Sequence, residues 1–197
     1  MTETPTREPT AIERFLAHLN GLTNDRGVMA DLRHGLSKAT EYRAWPHVAP
    51  WCRLDHERES RVWLTVAAGF AIHQRTTAAG NMGTVMRALA TGGKRGADGL
   101  ATFDGRFRRF LSCSSSAEVC DHLGGVLRAA ERNGVAVNFA QLFIDLTYWS
   151  KRVKLEWATE YWGAAPAEGS PEAGDAAEDG EAYDAEEEVT AEEEDDS

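Results

Sequence analysis

The chain has no lysine or arginine beyond Lys154. Its last 32 residues, Pro166 to Ser197, hold none of the 21 basic residues and 15 of the 32 acidic ones. Residues 1–165 therefore carry 21 positive and 17 negative charges, a net of +4, and the tail carries −15. The overall net charge of −11 and the pI near 5.0 are properties of the tail. The body is locally more basic still, with seven basic residues against two acidic ones between Arg75 and Arg109. A cationic body with an anionic tail points to a polyanion partner, which the low pI alone would have argued against.

Other absences narrow the class. No run approaches the roughly 18–20 apolar residues needed to span a membrane. Met1 to Pro9 is polar and lacks the apolar core of a secretory signal. Three cysteines, Cys52, Cys113 and Cys120, are an odd number without a C-x-x-C spacing, as expected of free thiols in a reducing cytoplasm. The tail has one branched aliphatic, Val189, and one aromatic, Tyr183. It cannot offset the entropy of ordering and is expected to be disordered.

Catalytic patterns are missing as well. Gly93-Lys94 is followed by Arg95 rather than Ser or Thr, and position 88 is Ala, so there is no P-loop. Histidines 18, 34, 47, 56, 73 and 122 never fall at H-E-x-x-H or similar spacing. Asp55-His56-Glu57 and Ser114-Ser115-Ser116 precede helical stripes and are better read as capping segments. Neither an enzyme nor a cofactor or metal is expected.

What is present is helical periodicity. Thr10-x-x-Glu13 is a capping box ahead of Ile12, Phe15, Leu16 and Leu19. A second helix follows Asn24 or Asp25, with Val28, Met29, Leu32 and Leu36 on one face. Pro46 and Pro50 punctuate an aromatic segment holding Trp45 and Trp51. A longer helix runs from about Asp55 to Thr77, and Asn81 caps the next. Residues 91–101 contain four glycines and read as a flexible basic loop. Beyond it come a Phe103, Phe107, Phe110 stripe and a helix from Ser115 to Asn133, stopped by Gly134. A helix opened by Asn138 and a last one from about Lys151 to Trp162 complete the body. No strand pattern of useful length exists. The expectation is an all-α fold: flexible residues 1–9, a helical bundle at 10–90, the glycine-rich loop 91–101, a second bundle at 102–165, and the disordered acidic tail 166–197.

The basic residues group around the loop and at helix ends. Arg87, Lys94, Arg95, Arg106, Arg108 and Arg109 surround the loop; Lys151 and Arg152 open the last helix; Arg26 and Arg33, seven apart, share a face of the second. Guanidinium and ammonium groups bind phosphate oxygens whatever the base sequence, and helix N-termini add N–H donors. These ten residues are the candidate nucleic-acid track. Tyr148 and Trp149 beside Lys151 have faces on which bases can stack, although the spacing of Trp149 favours the core.

The run from Arg106 to Trp162 resembles the CasB family, the small subunits of the type I-E CRISPR surveillance complex Cascade. The resemblance is carried by the basic helix Arg106–Leu111, the step Val137-Asn138-Phe139 and the segment Trp149-Ser150-Lys151-Arg152. Upstream, Arg26–Arg33, the proline-punctuated aromatics and Gly83–Leu89 fit in the same order. It covers roughly residues 10–162. The resemblance implies an all-α, non-catalytic subunit, present as two copies, that contacts the other Cascade subunits, the crRNA and the target DNA. It also implies that the subunit steadies the guide–target heteroduplex and the displaced non-target strand during R-loop formation in antiviral defence. It implies nothing about Pro166 to Ser197, which serve either solubility or competition with nucleic acid. Two other classes fit the composition: a stand-alone α-helical DNA-binding regulator, and a helical scaffold for an acidic protein. A regulator would carry base-reading amides on a recognition helix, and the polar face around the glycine loop has none.

Overall fold

The computed structural model describes residues 8–92 and 96–163, with backbone only over 96–102. Nine α-helices lie among them: α1 (Ala11–Gly21), α2 (Arg26–Arg33), α3 (Trp45–Val48), α4 (Glu57–Ile72), α5 (Met82–Thr91), α6 (Gly96–Ser112), α7 (Ser116–Asn133), α8 (Phe139–Thr147) and α9 (Lys151–Trp162). Two 3-10 turns, His34–Leu36 and Glu41–Arg43, link α2 to α3. No strand occurs among the described residues, and Thr76 and Val137 form an isolated bridge. The fold is all-α, as the periodicity predicts. The expected acidic tail and the pair Lys94-Arg95 lie outside the described residues.

Caps set the helix starts. Thr10 Oγ1 accepts from the Glu13 amide at 3.3 Å while Glu13 Oε2 accepts from the Thr10 amide at 2.7 Å, closing the box that begins α1. Asp25 caps α2, Asn81 caps α5, Ser115 caps α7 and Asn138 caps α8. Gly134, at φ +66°, ends α7 in the left-handed conformation that a side chain would strain.

Two boundaries depart from the sequence reading. The helix expected to reach Thr77 stops at Ile72. Arg33 Nε donates to the Ala71 carbonyl at 2.9 Å, and His73 Nε2 lies 2.7 Å from the Val135 carbonyl. Beyond them Val137 N donates to Arg75 O and Thr77 N to Val137 O, at 3.1 and 3.2 Å. These long-range partners replace the i→i−4 bonds that another helical turn would have made. The second departure is the glycine loop, expected over 91–101. Here α5 runs through Thr91 and α6 begins at Gly96. Glycine costs a helix interior about 1 kcal/mol against alanine. Docking of α6 outweighs it, with Phe107 and Phe110 buried against α9 and α7.

The centre is α4, buried on every side from Ser60 to Ala71. It packs on α2, α3, α7 and α8. A second group consists of α5, α6 and α9. Each group draws helices from both sides of the glycine segment, and the described residues make one compact unit. A Cβ on Gly69 would meet Leu127 and Phe139 at 3.0 Å, so its absence lets α4 sit close to α7 and α8. A Cβ on Gly83 would lie 2.1 Å from the Trp157 carbonyl, so α5 and α9 touch backbone to backbone. Trp157 and Tyr161, fully buried on α9, anchor the second group. Burial of a large apolar side chain stabilises by roughly 1.5–3 kcal/mol.

Candidate nucleic-acid interface

The ten candidate residues divide by what their side chains already hold. Four are engaged. Arg33 closes the end of α4 through the Ala71 carbonyl. Arg87 donates to the Gly163 carbonyl and closes the end of α9. Arg108 pairs with Asp104 one turn earlier and lies 5.0 Å over the Trp162 ring, whose indole N–H donates to Asp104 at 2.7 Å. Arg152 pairs with Glu156 at 2.8 Å. Arg106 rests 5.1 Å over the Phe103 ring. Arg26, Arg109 and Lys151 are exposed and make no ion pair among the described residues. Lys94 and Arg95 lie outside those residues.

Geometry also separates the candidates in space. Arg26 and Arg33 belong to α2, packed on α4, whereas α6 and α9 belong to the other group. Arg106 and Arg109 are three apart on α6 and are neighbours on its exposed surface. The end of α6 meets the start of α9. Trp149 Nε1 donates to the Cys113 carbonyl at 3.2 Å, and Lys154 Nζ sits 5.7 Å from the Trp149 ring centre. Arg109 and Lys154 are both near enough to Cys113 that their charges pull its thiol down, against burial, which raises it overall, and Glu118.

The first turn of α9 is unusual. It holds Lys151, Arg152 and Lys154, carries no acidic residue, and the Ser150 side chain makes no cap bond. Cations at the positive end of a helix are unfavourable by a few tenths of a kcal/mol each. Such a terminus, with unclaimed N–H groups, attracts anions. Arg106 and Arg109 on α6, and Lys151 and Lys154 on the first turn of α9, are the candidate cations of this region. Tyr148, 70 % exposed, lies beside it, while Trp149 is buried as its spacing predicts.

Two arginines escaped the sequence reading. Arg61 is 3 % exposed inside α4. It donates to the carbonyls of Gly35 and Leu36 at 3.1 and 3.2 Å, and to Glu41 and Asp121 at 3.4 and 2.6 Å. It therefore ties α4 to both 3-10 turns and to α7. Its signal was a charge in phase with buried neighbours on both sides. Arg58, exposed one turn earlier, reaches the Thr147 carbonyl at 3.4 Å and lines clefts on either side of α4. One of these, about 270 Å³, is walled by Val62, Trp63 and Phe143. Nucleophiles are suppressed: burial pushes the Cys52 and Cys120 thiols up to about 11. Among the described residues no cluster of His, Cys, Asp or Glu is placed to hold a metal. No described helix is long and apolar enough to cross a membrane.

The described residues define the class of small all-α proteins without a metal cluster. The particular family follows from comparison. Residues 28–162 match the family model of the CRISPR-associated protein Cse2. The chain belongs to the Cse2 family, the CasB-type small subunits of Cascade, which are structural subunits rather than a known enzyme class. Its fold is similar to that of CasB from Thermus thermophilus at 24 % identity and a TM-score of 0.61, covering 77 % of this chain and 97 % of that one. A second solved structure, of a CRISPR-associated protein of the Cse2 family also from Thermus thermophilus, matches at 25 % identity with the same TM-score and the same coverage of both chains. No curated protein sequence matches the chain.

Proposed function

We propose that this Cse2-family chain is the non-catalytic subunit that steadies nucleic acid within a type I-E Cascade, holding the crRNA–target heteroduplex and the displaced non-target strand by their phosphates. It works in the cytoplasm, beside a second copy of itself, in antiviral defence. The observation that supports this reading is the set of exposed cations on α6 and on the first turn of α9. Arg106, Arg109 and Lys151 lack carboxylate partners among the described residues. Uncommitted cations with no base-reading amides between them bind backbone rather than sequence. Lys94 and Arg95, which precede α6 in sequence, join the proposed contact. Arg26 makes a separate contact from α2, and Arg33, Arg87, Arg108 and Arg152 contribute long-range field while remaining bound to their own partners. Specificity then rests with base pairing to the guide.

The isolated chain should bind single- and double-stranded DNA of unrelated sequences with similar, weak affinity that falls steeply with salt as counterions are released. Fluorescence anisotropy across a salt series measures this. Strong preference for one duplex sequence, with a shallow salt slope, would return the chain to the regulator class.

A further inference from the structure

We infer that Tyr42 and Trp45 form a stacking platform for unpaired nucleobases on the surface of the α2–α4 group, so that this part of the subunit takes single-stranded nucleic acid by its bases as well as its phosphates. The inference rests on the nucleic-acid reading above. It gives that reading a second surface and a preference for single strands.

The segment from Glu41 to Val48 runs as a 3-10 turn straight into α3, joined through Ala44 at φ −82°, ψ −17°. Its inner side is fixed: Ala44 and Val48, four apart, are fully buried, and α3 packs on α4. Pro46, in the first turn of α3, locks its own φ and stiffens the segment. The outer side carries Tyr42, 58 % exposed, and Trp45, 42 % exposed. Residues three apart on a helical turn are neighbours, about 5–6 Å apart at Cβ. Neither ring has an aromatic or hydrogen-bond partner among the described residues. Trp162, similarly exposed, differs: it donates to Asp104 and packs against Phe107 and Arg108. Large rings stabilise a fold chiefly through the area they bury, so the open faces of Tyr42 and Trp45 serve the fold little.

The surroundings select the partner. From Arg26 to Val48 the chain has four basic residues and two acidic ones. Both acids are already held: Glu41 by buried Arg61, and Asp31 by Arg43 at 2.9 Å and His47 at 3.8 Å. Arg43 falls between the two rings in sequence, and α2, which carries exposed Arg26, packs on the same 3-10 turn. A cationic excess attracts phosphates, and open aromatic faces take the bases between them. A protein partner would ask for an apolar patch around such anchors. None of the other exposed large apolar side chains among the described residues belongs to α2, α3 or the turns between them. A duplex hides its base faces inside its own stack, so the platform acts on unpaired nucleotides.

The test titrates the full-length chain with a mixed-sequence single-stranded DNA, the matching duplex, and a strand of equal length made of abasic sites. Tyr42→Ala with Trp45→Ala should weaken single-strand binding about tenfold for each ring removed. The slope of log K against log salt should stay as in the parent, because no phosphate contact is lost. Affinities for the duplex and the abasic strand should not change. Tyr42→Phe with Trp45→Phe keeps two stacking faces and should restore most of the loss. An alanine variant that binds the single strand as the parent does overturns the inference. So does an equal loss on the abasic strand, which would make the rings supports for nearby cations. Failure to join the other Cascade subunits, with single-strand binding intact, assigns the pair to a protein contact and overturns it too. A parent that binds none of the three probes sinks the nucleic-acid reading and this inference with it. A parent that binds all three, beside an indifferent alanine variant, sinks this inference alone.

Discussion

The sequence Arg106-Phe107-Arg108-Arg109 places three arginines on one helix, and the structure gives them different work. Arg108 is spoken for by Asp104 and Trp162. Arg106 and Arg109 are exposed and have no carboxylate partner among the described residues. If both bind phosphate, replacing them with Gln removes two contacts. For single-stranded DNA each contact contributes about 0.7 to the slope of log K against log salt, so the slope falls by roughly 1.4. The same term weakens binding about 25-fold near 0.1 M salt. Arg108→Gln should leave the slope within about half a contact of the parent, since no phosphate contact is lost. Its cost is in stability. An exposed i,i+4 pair contributes about 0.3–0.5 kcal/mol and a cation over Trp about 0.5–1 kcal/mol, so unfolding should be easier by about 1 kcal/mol. Anisotropy titrations over a salt series give the slopes, and urea denaturation by circular dichroism gives the stabilities. An Arg108→Gln slope change as large as that of the pair would refute the sorting by partner. So would an unchanged slope in the double variant.

Two further outcomes follow from buried charges. Arg61→Ala strands the Gly35 and Leu36 carbonyls and leaves Glu41 unpaired, while half-exposed Asp121 rehydrates; the loss should be about 3 kcal/mol, toward the low end for a broken buried pair. Thermal denaturation should show this as a midpoint fall of roughly 6–12 °C, and a fall under about 3 °C would mean that water replaces the guanidinium freely. Asp145 is 2 % exposed and its carboxyl is raised above its ordinary value, chiefly by burial, against donated bonds from the Trp157 indole and Gln141, both 2.7 Å. A carboxyl raised in the folded state binds its proton more tightly there than in the unfolded chain. Its contribution is therefore complete below the unfolded value and lost as pH rises through the folded one. Asp145→Asn should flatten the fall in stability over that window, and parallel pH–stability curves for parent and variant would contradict the assignment.

Much of the architecture was legible because caps and stripes are local. Thr10, Ser115, Asn138 and Gly134 mark helix ends by bonds or backbone angles that involve only their near neighbours in sequence. The two misjudged boundaries are those settled by distant partners. The end of α4 depends on Arg33 and on residues 135–137, and α6 is held by α5 and by Phe107 and Phe110 against α9 and α7. Neither signal exists within a window of sequence. The grouping of helices was hidden for the same reason. Gly83 reads as a weak helix residue until the Trp157 carbonyl is seen to occupy the space of its Cβ.

The candidate site was legible in kind and blurred in detail. Helical spacing places an arginine on a polar face, and from there its side chain has three outlets: a carboxylate, an unclaimed carbonyl at a helix end, or solvent. All three are compatible with the same residue type at the same phase. Arg33 and Arg87 took carbonyls, Arg108 and Arg152 took carboxylates, and Arg61 took both inside the protein. A count of basic residues therefore overstates the charge available to a ligand, because each engaged guanidinium must break a bond before it can make one. The informative quantity is the number of cations whose neighbours leave them nothing to hold. Arg106, Arg109 and Lys151 have no carboxylate partner among the described residues, and Lys151 opens a helix whose Ser150 side chain makes no cap bond. A positive helix end lined with further positive charge is disfavoured on its own and relieved by an anion. Placing phosphates against these residues satisfies the cations without disturbing any bond that holds the fold, so binding and stability draw on separate arginines.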